Sequence, residues 1–240
     1  MSIPWLWRKW SRIVGVLGAL LLISFVSFGF SSRLRVLYDT AMTRVTTLEG
    51  GVSELEQQMV SIKSAMNVDS IRQHNIQKIT SIFNDRNKTL TAKEKYEIAN
   101  EVYIASQKYT SLSVELICAM ITQESGPAWK TNRVSPAGAL GLMQIMPVTG
   151  MFMASYEGIA WTSAEDVLLN PIYNIRIGTR YMSALIDMYG LEGGLASYNG
   201  GETRARMWLA EGKKDGILYQ ETQAYVPSVL QLTDIYKNML

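Results

Sequence analysis

The longest apolar run lies near the start. From Ile13 to Ser32 the chain carries no charged residue and consists mostly of Leu, Val, Ile, Phe, Gly and Ala. Twenty helical residues at roughly 1.5 Å each span about 30 Å, the thickness of a bilayer's hydrocarbon core. The pattern predicts a transmembrane helix over 13–32, behind a short N-terminal segment, 1–12. Trp5, Trp7 and Trp10 fall where an interfacial aromatic belt would sit. A cleaved signal peptide is the rival reading. Its apolar region is normally about 7–15 residues with a small-x-small exit, which Ser27-Phe28-Gly29 offers only weakly. Basic residues flank both ends (Arg8, Lys9 and Arg12; Arg33, Arg35 and Arg44), so charge alone sets no orientation.

The pattern then changes period. Leu34, Ala41, Leu48, Leu55 and Ile62 recur every seventh residue, with Val45, Val52, Met59 and Met66 interleaved. Alternating spacings of three and four predict a coiled coil, or one amphipathic helix lying on its own domain or on a membrane. About 50 helical residues would reach roughly 75 Å. Gly50-Gly51 is expected to weaken or kink this helix, at about 1 kcal/mol per glycine. Ile71, Ile76, Ile79 and Phe83 continue a less regular stripe. The polar stretch Asn84 to Lys88 ends it, giving a spacer over 33–88 and a domain over 89–240.

Within that domain Thr91 and Glu94 form a capping-box pattern, opening a helix to about Tyr109. After Ser113 comes a run apolar on every side (Val114, Leu116 to Ile121), the mark of a helix buried in a core. Steps of three and four from Val114 reach Ile117, Cys118, Ile121 and then Glu124, so Glu124 lies on the inward stripe just before Gly126-Pro127. Desolvation favours a protonated carboxyl, the state a general acid needs at neutral pH. A core Glu satisfied by a structural partner is the bland alternative. Further on, Asn170-Pro171 reads as a cap followed by Pro at the first helical position. That helix carries Ile172, Ile175, Thr179, Met182, Ile186 and Tyr189 inward and closes at Gly190. Pro227 is expected to kink the last helix or end its first turn.

Composition narrows the chemistry. The single histidine, His74, lies in the spacer, and the single cysteine, Cys118, lies in the buried helix. No His/Cys metal cluster or Cys-His dyad is expected in the domain, and no cofactor. Beyond Phe83 acidic residues slightly outnumber basic ones, which argues against nucleic acid as a partner.

Several blocks together carry a family resemblance. They are Glu124-Ser125-Gly126; Val134 through Gly141-Leu142-Met143-Gln144 to Pro147; Asn170-Pro171 with Asn174-Ile175 and Gly178; Ser197 to Gly201; and Glu221-Thr222 with Tyr225-Val226. They resemble the soluble-lytic-transglycosylase (SLT) family, from about Leu90 to Leu240. The resemblance implies a mainly α, goose-type lysozyme-like domain with at most a small β element near Ser135–Gln144. It implies a lyase acting on peptidoglycan with Glu124 as the catalytic acid. It assigns Ser125, Ser135, Met143, Gln144, Tyr198, Asn199, Glu221 and Tyr225 to substrate binding. Two departures stand out: Glu124 and Ser135 are two residues further apart than usual, and Ser197 replaces the usual Ala. Trp129 is expected to supply the aromatic that commonly follows the Glu-Ser pair.

The reading that results is a membrane-anchored lytic transglycosylase, metal-free, with its catalytic domain on the periplasmic side of the inner membrane. Glycan strands are its partner, with self-association or an envelope-machine partner through 34–83. The alternatives are a goose-type hydrolase, a glycan-binding component of a secretion, conjugation or phage-entry apparatus, and, by location, a phage virion protein.

Overall fold

The computed structural model describes residues 4–239; the side chains of Trp5 and Trp7 and the first positions of the N-terminal segment lie outside the described residues. Eight helices follow in order among them: α1 (Pro4–Phe83), α2 (Ala92–Lys108), α3 (Val114–Ser125), α4 (Pro147–Tyr156), α5 (Ala164–Leu168), α6 (Pro171–Gly200), α7 (Glu202–Ala210) and α8 (Gln220–Lys237). The chain forms two compact units, Met1–Asn67 and Val68–Leu240.

The described residues of the first unit are all helical. By length and composition its helix is apolar enough to cross a membrane, and none of that stretch is buried by protein. The heptad residues beyond it also face outward, with Leu48 70% exposed and Leu55 61%. The expected weakness at Gly50-Gly51 leaves no break, since α1 runs through both. Threonine hydroxyls donate back to carbonyls four residues earlier, Thr40 to Val36 at 2.7 Å and Thr43 to Asp39 at 2.8 Å, so they need no partner outside the helix.

The second unit opens with the last turns of α1. Ile76, Ile79, Ile82 and Phe83 are all buried in its core. Phe83 stacks on Trp129, with ring centroids 4.4 Å apart and planes 11° from parallel. The Trp129 indole N–H donates to Thr122 Oγ1 at 2.8 Å. Trp129 is fully buried, so the expected post-Glu aromatic is a core anchor gripping the end of α1. The polar stretch at 84–88 is the turn into α2. Asn87 is buried there, donating to the Ala128 carbonyl at 2.8 Å and accepting from the Thr89 and Leu90 amides at 3.0 Å.

Helix ends follow the residues that predicted them. The Thr91–Glu94 capping box forms in full. Ser113 caps α3, and Gly126, at φ 80°, ends it. Asn170 Oδ1 accepts from two amides of α6, whose axis breaks at Gly190 (φ 70°, ψ 174°). Pro227 lies inside α8 without ending it. Two isolated antiparallel bridges, Val134 with Leu140 and Leu140 with Ile145, are the β structure among the described residues. The core collects around α3, where Leu116 to Ile121 are buried between α2 and α8.

Candidate active site

α3 carries Glu124 on its last turn, on the side covered by α8. The residue is half-buried. Tyr225, itself buried on α8, donates its hydroxyl to Glu124 Oε1 at 2.7 Å. Burial pushes the Glu124 carboxyl up to about 7. The Tyr225 hydrogen bond and the Arg133 guanidinium pull the other way, and the Glu221 carboxylate pushes it further up. Desolvation wins, so near neutral pH a substantial fraction of Glu124 holds its proton. Burial, and then the charge of Glu124, also push the Tyr198 and Tyr225 phenols well above their ordinary range. Both therefore stay neutral donors.

The loop between α3 and α4 forms the other wall. Asn174, fully buried on α6, organises it: Oδ1 accepts from the Met143 amide at 2.7 Å, and Nδ2 donates to the Leu140 and Leu168 carbonyls at 2.9 Å. Gly141, at φ 79°, packs so closely on that cluster that a Cβ there would overlap the Leu168 carbonyl and the Asn174 amide. Gln144 takes a left-handed backbone, φ 47°. Its side-chain amide donates to the Gly141 carbonyl at 2.8 Å and the Arg133 carbonyl at 3.2 Å. The Tyr198 hydroxyl donates to the Met143 carbonyl at 2.8 Å. Asn174 and Tyr198 of α6 and the loop's own Gln144 thus pin the loop, and Arg133 is held near Glu124 by its backbone.

The residues assigned by resemblance divide into groups. Glu124, Tyr225, Tyr198 and Glu221 act on one another electrostatically. Gln144 sits on the loop beside them, half-buried. Asn199 accepts from the Thr222 hydroxyl at 2.7 Å, joining the end of α6 to α8. Ser135 closes the loop's tight turn, its hydroxyl accepting from the Ala139 amide at 2.9 Å. Met143 and Ser125 face inward. Met143 is fully buried against Gly178, and the buried Ser125 hydroxyl donates to the Ile121 carbonyl at 2.8 Å.

Nothing in the local sequence marks Arg133, which lies in the loop lengthened by two residues and acts on Glu124. Asn174 stands in the Asn170–Gly178 block, and a buried Asn beside a Gly-rich loop is the signal for such a clamp. No group of three His, Cys, Asp or Glu that could hold a metal exists among the described residues. A separate cleft of about 660 Å³, lined by Trp208, Leu218, Val226, Pro227 and others, contains none of these site groups.

Comparison with known proteins bears on the family and the fold. The chain is 32% identical over 158 residues to the soluble lytic murein transglycosylase of Salmonella typhimurium, covering 61% of this chain and 24% of that protein. It is 35% identical over 107 residues to membrane-bound lytic murein transglycosylase C of Glaesserella parasuis, covering 40% of this chain and 29% of that one. Among solved structures, an inactive Glu-to-Gln mutant of lytic transglycosylase Slt from Pseudomonas aeruginosa superposes with a TM-score of 0.50 at 32% identity, over 57% of this chain and 23% of that one. The chain therefore spans about a quarter of the length of these relatives. The transglycosylase SLT domain model matches residues 101–220, half of the chain. With its helical lysozyme-like unit, this chain belongs to the transglycosylase SLT domain family.

Proposed function

We propose that this chain is a membrane-anchored peptidoglycan lytic transglycosylase in which Glu124 acts alone as acid and then base. The observation that carries the reading is the Glu124 carboxyl raised to about 7 beside a neutral Tyr225 donor. A protonated Glu124 gives its proton to the oxygen linking N-acetylmuramic acid to N-acetylglucosamine, and the C1–O bond breaks. The N-acetyl oxygen of the muramyl residue stabilises the cationic C1. Glu124, now a carboxylate, takes the proton of the muramyl C6 hydroxyl as O6 bonds to C1. The product is a 1,6-anhydromuramyl end. Glu124 regains its proton and no water is consumed.

Paired carboxylates are the usual glycosidase arrangement. Glu221 is the other carboxylate that acts on Glu124; it is exposed. Because it raises the acid's proton affinity, it suits a tuning role better than a nucleophilic one. Gln144, Tyr198 and Asn199 are assigned to holding glycan, with Ser135, Met143 and Ser125 acting through the loop and helix they stabilise. The names and structures of relatives that are lytic transglycosylases, one inactivated by a Glu-to-Gln exchange, support the same chemistry. The exposed apolar part of α1 and the membrane-bound relative support an anchor, with the catalytic unit on the side where peptidoglycan lies.

A wall-embedded gel assay of the full chain tests the proposal. The wild type should clear peptidoglycan, whereas Glu124→Gln should fold normally and leave the gel opaque. Clearing by Glu124→Gln would refute the acid assignment.

A further inference from the structure

The heptad stretch of α1 has more specific geometry than an apolar stripe. Placing Val45 and Val52 at position a puts Leu48 and Leu55 at position d. β-branched residues at a with Leu at d favour two parallel strands. All four side chains face outward, at 44%, 55%, 70% and 61% exposed. Gly50 then falls at f, off the seam, and Gly51 at g, on its flank, so neither removes an a or d side chain.

The surface also holds a receptor for a knob. A shallow depression of about 350 Å³ is lined by Val45, Leu48, Glu49, Val52, Ser53 and Glu56. Four of these, Val45, Leu48, Glu49 and Val52, stand at a, d, e and the next a. That is the set that receives a d-position side chain from a parallel neighbour, and in register the entering residue is the partner's Leu48.

The flanks agree. In a parallel pair each g residue meets the e residue five positions on in the other strand. Arg44 thereby faces the partner's Glu49, Leu37 faces the partner's Met42, and Gln58 faces the partner's Lys63. One pair is opposite in charge, one is apolar and none is like-charged. Arg44 and Glu49 make no ion pair within the chain among the described residues.

We propose that residues 34–66 form a parallel, in-register, two-stranded coiled coil with a second copy of this chain. The proposal rests on the membrane-anchor reading in one respect only: two chains entering one bilayer by the same end must run parallel. Catalysis plays no part in it.

The experiment is oxidative cross-linking of the full chain in membrane vesicles. Cys118 is fully buried and supplies a silent background. Single cysteines go in at Val45→Cys, Val52→Cys and, on the outer face, Thr43→Cys. Val45→Cys and Val52→Cys should each link most chains to themselves, and Thr43→Cys severalfold less. Arg44→Glu should reduce the Val52→Cys product severalfold, and adding Glu49→Arg should restore it. Linking at one seam position but not the other indicates an antiparallel or staggered pair and overturns the proposal. Equal linking at Thr43→Cys means random collision, no linking means a helix lying on lipid, and either also overturns it. Carbonate extraction of the same vesicles reports anchoring separately, so a failed anchor is not mistaken for a failed dimer.

Discussion

Two helices of similar apolar content meet opposite fates. In α3, Leu116 to Ile121 are at most 4% exposed. In α1, the large apolar residues from Val14 to Ile71 are at least 44% exposed. The difference is neighbours, since α2 and α8 close over α3, whereas among the described residues nothing in the first unit covers α1. Burial also decides what a carboxylate becomes. Glu124, at the end of the enclosed helix, is pushed toward its acid form, while Glu49 and Glu56 stand in solvent on α1. A hydrophobic period tells which side of a helix seeks cover, and only the neighbours tell what covers it.

The comparison is broken most completely at Glu124 itself. Glu124→Gln keeps the shape and removes the proton, so activity on purified peptidoglycan should fall about a thousandfold, within the range for loss of a general acid. Next comes packing. Ile117→Ala, which hollows a fully buried site, should destabilise the Val68–Leu240 unit by about 3 kcal/mol in thermal unfolding. Leu55→Ala on the open face of α1 should leave that transition within about 0.5 kcal/mol.

Electrostatics sharpens the contrast. The folded-state pKa of Glu124 lies above its ordinary value, so its contribution to stability is full below about pH 4.5 and fades as pH rises through about 7. Glu124→Gln should therefore be more stable than the wild type at pH 8, by about 3 kcal/mol, and gain almost nothing at pH 4. Tyr225→Phe removes a donor that favours the carboxylate, so the upper limb of the pH–rate profile should move to higher pH; a downward move would contradict the stated balance. A smaller change than at Ile117 concerns the Ser197 hydroxyl, which is buried with no hydrogen-bond partner among the described residues. Ser197→Ala should be neutral or stabilising, by up to about 1 kcal/mol, measured by denaturant unfolding.

Much of this was legible in the residues. Thr91 with Glu94, Asn170 with Pro171, and Gly126 set helix ends through local hydrogen bonds and backbone freedom, which need only near neighbours in the chain. The inward turn of Glu124 followed from a period of three and four. Long-range partnerships were not legible. Phe83 and Trp129 are forty-six positions apart, and no local pattern announces their stacking. Arg133 reaches Glu124 only because Gln144 and Gly141 fold the lengthened loop back. Of the two effects expected of Pro227, a kink or an end to the first turn, the second does not occur, since α8 continues to Lys237.

The most direct test is mass spectrometry of the sugar ends released when the purified full chain digests peptidoglycan. If Glu124 works with the C6 hydroxyl as its only nucleophile, the muramyl ends will be lighter by one water than ordinary reducing ends. Reducing ends carrying that water would mean a hydrolase, and the single-residue mechanism would be wrong.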